Sequence, residues 1–258
     1  MSRAAATRAP SAAEALAELE PKLKRAGTRA RALGEKAYLK SDLEFFGTTM
    51  PDMRAIAVEY AKAHPELTRE DLRDLSVAAF KTDVFELRCI ALALTDRRRA
   101  LLEDRDLPWL LDLVDASKTW AHVDWIATTL IGDVVDRYPA TLRWLPIWAK
   151  QQNFWIRRTA LLAQLGTLRR GEGDWPLFTR LAAGMLHEKE FFIRKAIGWV
   201  LREVSKKRPK LVFEFIRAHR DEMSGLTLRE GAKYLSDAQR KTLGLEPWRD
   251  RDGKRYGA

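Results

Sequence analysis

A short block recurs along this chain and limits what it can fold into. An aromatic residue, one variable position, an aliphatic residue and an arginine open an apolar helical stretch at Phe85-Glu86-Leu87-Arg88, Phe154-Trp155-Ile156-Arg157 and Phe191-Phe192-Ile193-Arg194. A weaker copy stands at Leu226-Thr227-Leu228-Arg229, and Arg54 follows Pro51 in a similar place. The arginines at 54, 88, 157, 194 and 229 are separated by 34, 69, 37 and 35 residues, and 69 is nearly two units. The skipped copy falls near position 123, where Thr119-Trp120-Ala121-His122-Val123-Asp124 opens another apolar helix. A period of roughly 35 to 40 residues with two helices per unit is the signature of a HEAT-like α-solenoid.

The rest of the pattern agrees. Apolar residues recur at spacings of three and four, as in Trp109, Leu110, Leu113 and Val114, and nothing alternates with period two for long. Proline and glycine fall mostly between such stretches. The expected fold is all-α, about six two-helix repeats in a curved superhelix with a concave face. The second helix of each unit, as in 118–137, 153–168, 189–206 and 226–235, lines that face. Residues 13–243 read as the repeat domain, 1–12 as a flexible N-terminal arm and 244–258 as a basic C-terminal tail.

Charge and composition narrow the function. The formal net charge of +10 sits at the two ends, +5 in residues 1–40 and +6 in 202–258, leaving 41–201 at −1. A basic sum favours polyanion partners, but in the central body charges must be sorted onto one face. No apolar run reaches the roughly 20 residues of a membrane span. The N-terminus lacks the apolar stretch of a secretory signal, so a cytoplasmic protein is expected. A solenoid of this size buries its core without a partner, which favours a monomer.

Most familiar active-site patterns are missing. There is no phosphate-binding or dinucleotide glycine loop, and the four histidines have no metal-ligand spacing. No metal and no cofactor is expected. Cys89 reads as a packed thiol. The nine tryptophans are more suggestive, although most lie among Leu and Ile at helical spacing. Trp120 and Asp124 share one helix face a turn apart, and Trp199 and Arg202 are three apart two units further on. In the repeat register Asp124 is equivalent to Arg158 and Lys195, which makes it read as a lone acid in a row of cations. A carboxylate beside two indoles, rimmed by arginine, suits cleavage of an N-glycosidic bond in DNA, where a cationic sugar forms between phosphates. The alternative is an Asp124 ion pair with both tryptophans in the core.

Four blocks resemble the AlkD-type DNA alkylation repair family: Phe45-Phe46-Gly47 with Pro51 and Arg54, Ser117–Asp124, Asn153–Arg158, and Lys189–Glu203. The resemblance runs from about residue 30 to 235. It implies HEAT-like repeats and a monofunctional glycosylase. Such an enzyme removes positively charged purines such as 7-alkylguanine and 3-alkyladenine from duplex DNA without full base flipping, leaving an abasic site. It also implies that Asp124 is the catalytic carboxylate, that Trp120 and Trp199 pack against the lesion's deoxyribose, and that Arg158 and Arg202 hold the backbone. Tyr38 matches a tyrosine that contacts DNA near the lesion. A non-catalytic solenoid that binds distorted or branched DNA would use Arg88, Arg157, Arg158, Arg194, Lys195 and Arg202 without needing Asp124. A protein-binding scaffold is a third possibility. Arg88, Arg157 and Arg194 have a structural alternative, bonding to the preceding unit's helix end.

Overall fold

The computed structural model describes residues 8–249. Residues 1–7 of the expected arm and 250–258 of the expected tail lie outside the described residues. Those described form helices and connecting turns with no β-strand, and no helix among them is long and apolar enough to cross a membrane. The stretch read as one repeat domain divides into two compact units, Met1–Leu130 and Ile131–Ala258.

The first unit contains α1 (Ala12–Ala26), α2 (Arg29–Leu39), α3 (Met50–Ala63), α4 (Arg69–Lys81), α5 (Phe85–Arg97), α6 (Leu107–Asp115) and α7 (Trp120–Trp125). Their starts are written into the sequence. Ser11 and Glu14 form a capping box on α1, Thr68 and Asp71 form one on α4, and Thr49 caps α3 with Pro51 in its first turn. The helices then stack in two rows, α1 on α4 on α6 and α3 on α5 on α7. Helix α5 is buried along nearly its whole length. That explains its lack of an amphipathic stripe, since it is covered on all sides.

Helix α2 stands apart, with no fully buried residue. The loop that follows it carries the Phe45-Phe46-Gly47 block, and Glu86 explains why that block exists. Its carboxylate is wholly buried and accepts the backbone N–H groups of Phe46, Gly47 and Thr48 at 2.9, 2.6 and 3.2 Å. Burial holds the Glu86 pKa above its ordinary value, and those three hydrogen bonds offset the rise only in part. Gly47 has φ +80°, and a Cβ there would lie 2.2 Å from the Thr28 carbonyl oxygen, so only glycine fits.

The chain leaves the first unit within a π-helical stretch, Ile126–Ile131, that interrupts the single second helix expected over 118–137. The second unit contains α8 (Gly132–Arg137), α9 (Leu145–Trp148), α10 (Phe154–Leu162), α11 (Leu165–Arg170), α12 (Trp175–Gly184), α13 (Phe191–Ser205), α14 (Pro209–Ala218), α15 (Gly225–Gly231) and α16 (Asp237–Thr242). Helices α10 and α11 form the expected 153–168 helix with a step at Gln164, whose buried side chain takes the Asp174 N–H at 2.8 Å. Helix α13 is the centre of this unit and packs on α10, α11, α14 and α15. The described start of the tail folds back, with the Arg240 guanidinium on the Glu246 carbonyl and Lys233 over the Trp248 ring.

Candidate nucleic-acid interface

In the first unit α7 carries the site and α5 holds α7 in place. Thr119 caps α7, which sets its rotation. His122 and Val123 turn inward and are fully buried. His122 stacks on Phe85 at 4.8 Å between ring centroids and meets the Cys89 thiol at 3.4 Å. Cys89 is thus a packed thiol whose pKa burial raises far above the usual range. With that face fixed inward, Trp120 and Asp124 lie on the other side of α7, each half-buried. The Tyr38 ring, carried by α2 and 70% exposed, meets the Trp120 indole edge-on with centroids 5.8 Å apart. Tyr38, Trp120 and Asp124 therefore belong to one surface. The π-helical stretch begins two residues after Asp124, whose backbone carbonyl also accepts the Thr128 hydroxyl at 2.7 Å. Such bulges occur disproportionately at functional sites.

In the second unit Lys195, Trp199 and Arg202 share one face of α13 at spacings of four and three. Glu230 of α15 bridges the two cations, accepting Lys195 Nζ at 2.7 Å and Arg202 Nη1 at 2.5 Å. The two cations hold the Glu230 carboxyl below its usual range against the opposing pull of burial. Gly198 makes this approach possible, because a Cβ there would lie 2.6 Å from the Glu230 Cβ.

Two of the expected phosphate contacts are corrected. Arg88 is 2% exposed, and its guanidinium donates to the Thr82 carbonyl at 3.0 and 2.7 Å and to the Ala116 carbonyl at 3.1 Å. Arg158 is 3% exposed, donates to the Phe192 carbonyl and faces the Phe192 ring. Both are enclosed and occupied, so they tie helices together and do not meet solvent. Arg157 and Arg194 are half-buried, and they share a geometry with Arg88. Each repeat arginine donates to the carbonyl six residues earlier, Thr82, Gln151 and Glu188 in turn. Arg157 also grips the Glu188 carboxylate at 3.0 and 2.7 Å. The recurring arginine is thus a structural clamp, but it closes on a carbonyl of its own unit and not on the preceding unit's helix end.

The lone-acid register also changes. Glu230 follows Arg229 as Asp124 follows position 123, so the row contains a second acid. Arg158 is buried and Lys195 is paired to Glu230. Sequence reasoning missed Glu230 even though that register held the signal. A glycine in the middle of an otherwise amphipathic helix, Gly198 beside Trp199, was a second clue to a close approach. Among the described residues no group of three or more His, Cys, Asp or Glu could hold a metal ion.

These features define a class: an all-α repeat protein with half-buried carboxylate and indole side chains on its second helices. A profile of the DNA alkylation repair enzyme family matches residues 19–235, and the chain belongs to that family. A solved structure described as a predicted DNA alkylation repair enzyme from Enterococcus faecalis is similar, with 26% identity and a TM-score of 0.73 over 81% of this chain and 97% of that one. AlkD2 from Streptococcus mutans shares the fold at 19% identity and a TM-score of 0.61, over 88% of this chain and all of the other. No curated protein matches the sequence significantly.

Proposed function

We propose that the protein is a monofunctional DNA glycosylase acting on positively charged N-alkylated purines, 7-alkylguanine and 3-alkyladenine, in duplex DNA. The observation that carries this reading is Asp124, a half-buried carboxylate one helical turn from Trp120, with Tyr38 against the same indole. His122 and Val123 on the same helix are fully buried, whereas Asp124 keeps part of its surface open.

The chemistry suits that placement. An alkylated purine already carries a positive charge, so its bond to C1′ breaks with the electron pair going to the ring, and the base leaves neutral without a general acid. The sugar is left cationic. A carboxylate stabilises that cation and orients a water toward C1′, and indole faces add cation–π attraction of roughly 0.5–2 kcal/mol. Water supplies the new C1′–OH and gives up a proton, leaving an abasic site in an intact strand. None of this needs a pocket around the base. The base therefore stays stacked, and bulky adducts are tolerated. Lys195 and Arg202 on α13 supply backbone contact. The test is incubation of the native protein with a duplex holding one 7-methylguanine, followed by chromatography of free bases. Release of 7-methylguanine with the strand cut only after alkali supports the reading. Salt-sensitive binding with no free base would leave a non-catalytic DNA binder as the better account.

A further inference from the structure

Lys195, Trp199 and Arg202 occupy successive positions of one α13 face, so the two cations stand on either side of the indole. Both end on the same carboxylate, Glu230, at 2.7 and 2.5 Å. The side chains are not sealed in: Lys195 is 37% exposed, Arg202 23% and Glu230 21%. Two cations converging on an accessible anion from flanking positions form the geometry that binds a phosphodiester oxygen pair. The approach is built in, because Gly198 and Gly231 each lack a Cβ that would press α13 and α15 apart, at 2.6 Å from the Glu230 Cβ and 3.0 Å from the Leu201 Cβ. Arg202 has a second acidic neighbour in Glu203, but only at 3.5 Å, and Glu203 is itself held by Arg169 at 3.0 Å and Lys206 at 2.9 Å. Glu230 is therefore the acid that controls this pair.

We infer that Glu230 is an internal stand-in for a DNA backbone phosphate, a positioning residue that keeps Lys195 and Arg202 aimed across Trp199 and yields to the phosphate when duplex binds. The inference rests on the DNA-binding half of the proposed function. The carboxylate has two opposed effects. It aligns both side chains before DNA arrives, and it cancels one of the two charges that would otherwise attract any polyanion. Undamaged duplex, which gains nothing from alignment at a lesion, is held less tightly as a result.

The experiment compares native protein, Glu230→Gln and Glu230→Asp. The affinity for a short undamaged duplex is measured across a salt series, and base release from the 7-methylguanine duplex at saturating protein. Glutamine keeps the shape and removes the charge. It is expected to tighten undamaged-duplex binding about 3- to 10-fold and to steepen the log–log salt slope by about one, while base release slows about tenfold. A residue needed only for folding would weaken both. Aspartate keeps the charge but withdraws it by one methylene, so its binding should fall between the other two, and it gives the same test if the glutamine variant is poorly folded. Undamaged-duplex binding equal to or weaker than native in a folded variant overturns the inference. Base release by the native protein is scored separately, and its absence would sink the glycosylase reading without altering the binding result.

Discussion

The Tyr38 ring stands edge-on to the Trp120 indole, 5.8 Å between centroids, and joins α2 to the helix that carries Asp124. Because α2 has no fully buried residue, this contact and the Lys36 bond to the Leu43 carbonyl at 3.2 Å do much to fix its position. An aromatic pair of this kind contributes about 0.5–1.5 kcal/mol beyond the area it buries. Tyr38→Ala is expected to slow base release about tenfold in single-turnover assays while lowering Tm by no more than about 4 °C. Tyr38→Phe, which keeps the ring, should retain a rate within about threefold of native. A phenylalanine variant as slow as the alanine variant would show that the hydroxyl matters more than the ring.

Arg88 gives the opposite profile. Replacing it with methionine keeps volume but leaves the Thr82 and Ala116 carbonyls without their donor. Both bonds are only part-buried, so water can reach the freed carbonyls and the cost lies near the lower end, about 1 kcal/mol each. A loss of roughly 2 kcal/mol is expected, with Tm lower by about 4–8 °C. The salt slope of duplex binding should not change. If Arg88→Met instead flattened that slope at native Tm, Arg88 would be a phosphate contact after all.

Stability should also respond to mild acid through His122. Burial, with a contribution from the nearby Arg88 charge, pushes its pKa down from 6.5 to about 3. The folded protein therefore keeps the ring neutral where the unfolded chain protonates it. The unfolded state binds the extra proton between about pH 6.5 and 3, so stability falls as pH drops through that window, by about 1.4 kcal/mol per unit. From pH 7 to 5 the loss is roughly 2 kcal/mol. His122→Phe, which suits a site lined by Phe80 and Phe85, should flatten the decline in denaturant midpoint over that range. An unchanged slope would mean that other groups set it.

The fold was legible because a repeat repeats. Five arginines at one register mark the second helices, and capping residues such as Ser11, Thr68 and Asn153 mark several starts. The register also located the face of α7 that holds Trp120 and Asp124. It left Arg88, Arg157 and Arg194 open between phosphate contact and a structural bond, and it read Arg158 as a phosphate contact. Nothing in a linear pattern distinguishes an arginine that reaches water from one that closes on a carbonyl six residues back. Arg88 and Arg158 look the same in sequence as Arg202, and only packing separates them. Contacts made between helices were invisible for a related reason. Glu86 reaches the Phe46–Thr48 backbone across about 40 residues, and Glu230 reaches Lys195 across 35. The π-helical stretch after Asp124 has no glycine or proline to announce it.

The central claim is that the Asp124 carboxylate drives base release. The direct measurement is single-turnover release of 7-methylguanine from duplex by native protein and by Asp124→Asn, with the affinity of each for undamaged duplex measured alongside. Asparagine keeps the size and removes the charge needed beside a cationic sugar, so release should fall by about 10²–10³ while binding stays native or tightens. Native-rate release by the asparagine variant would contradict the account.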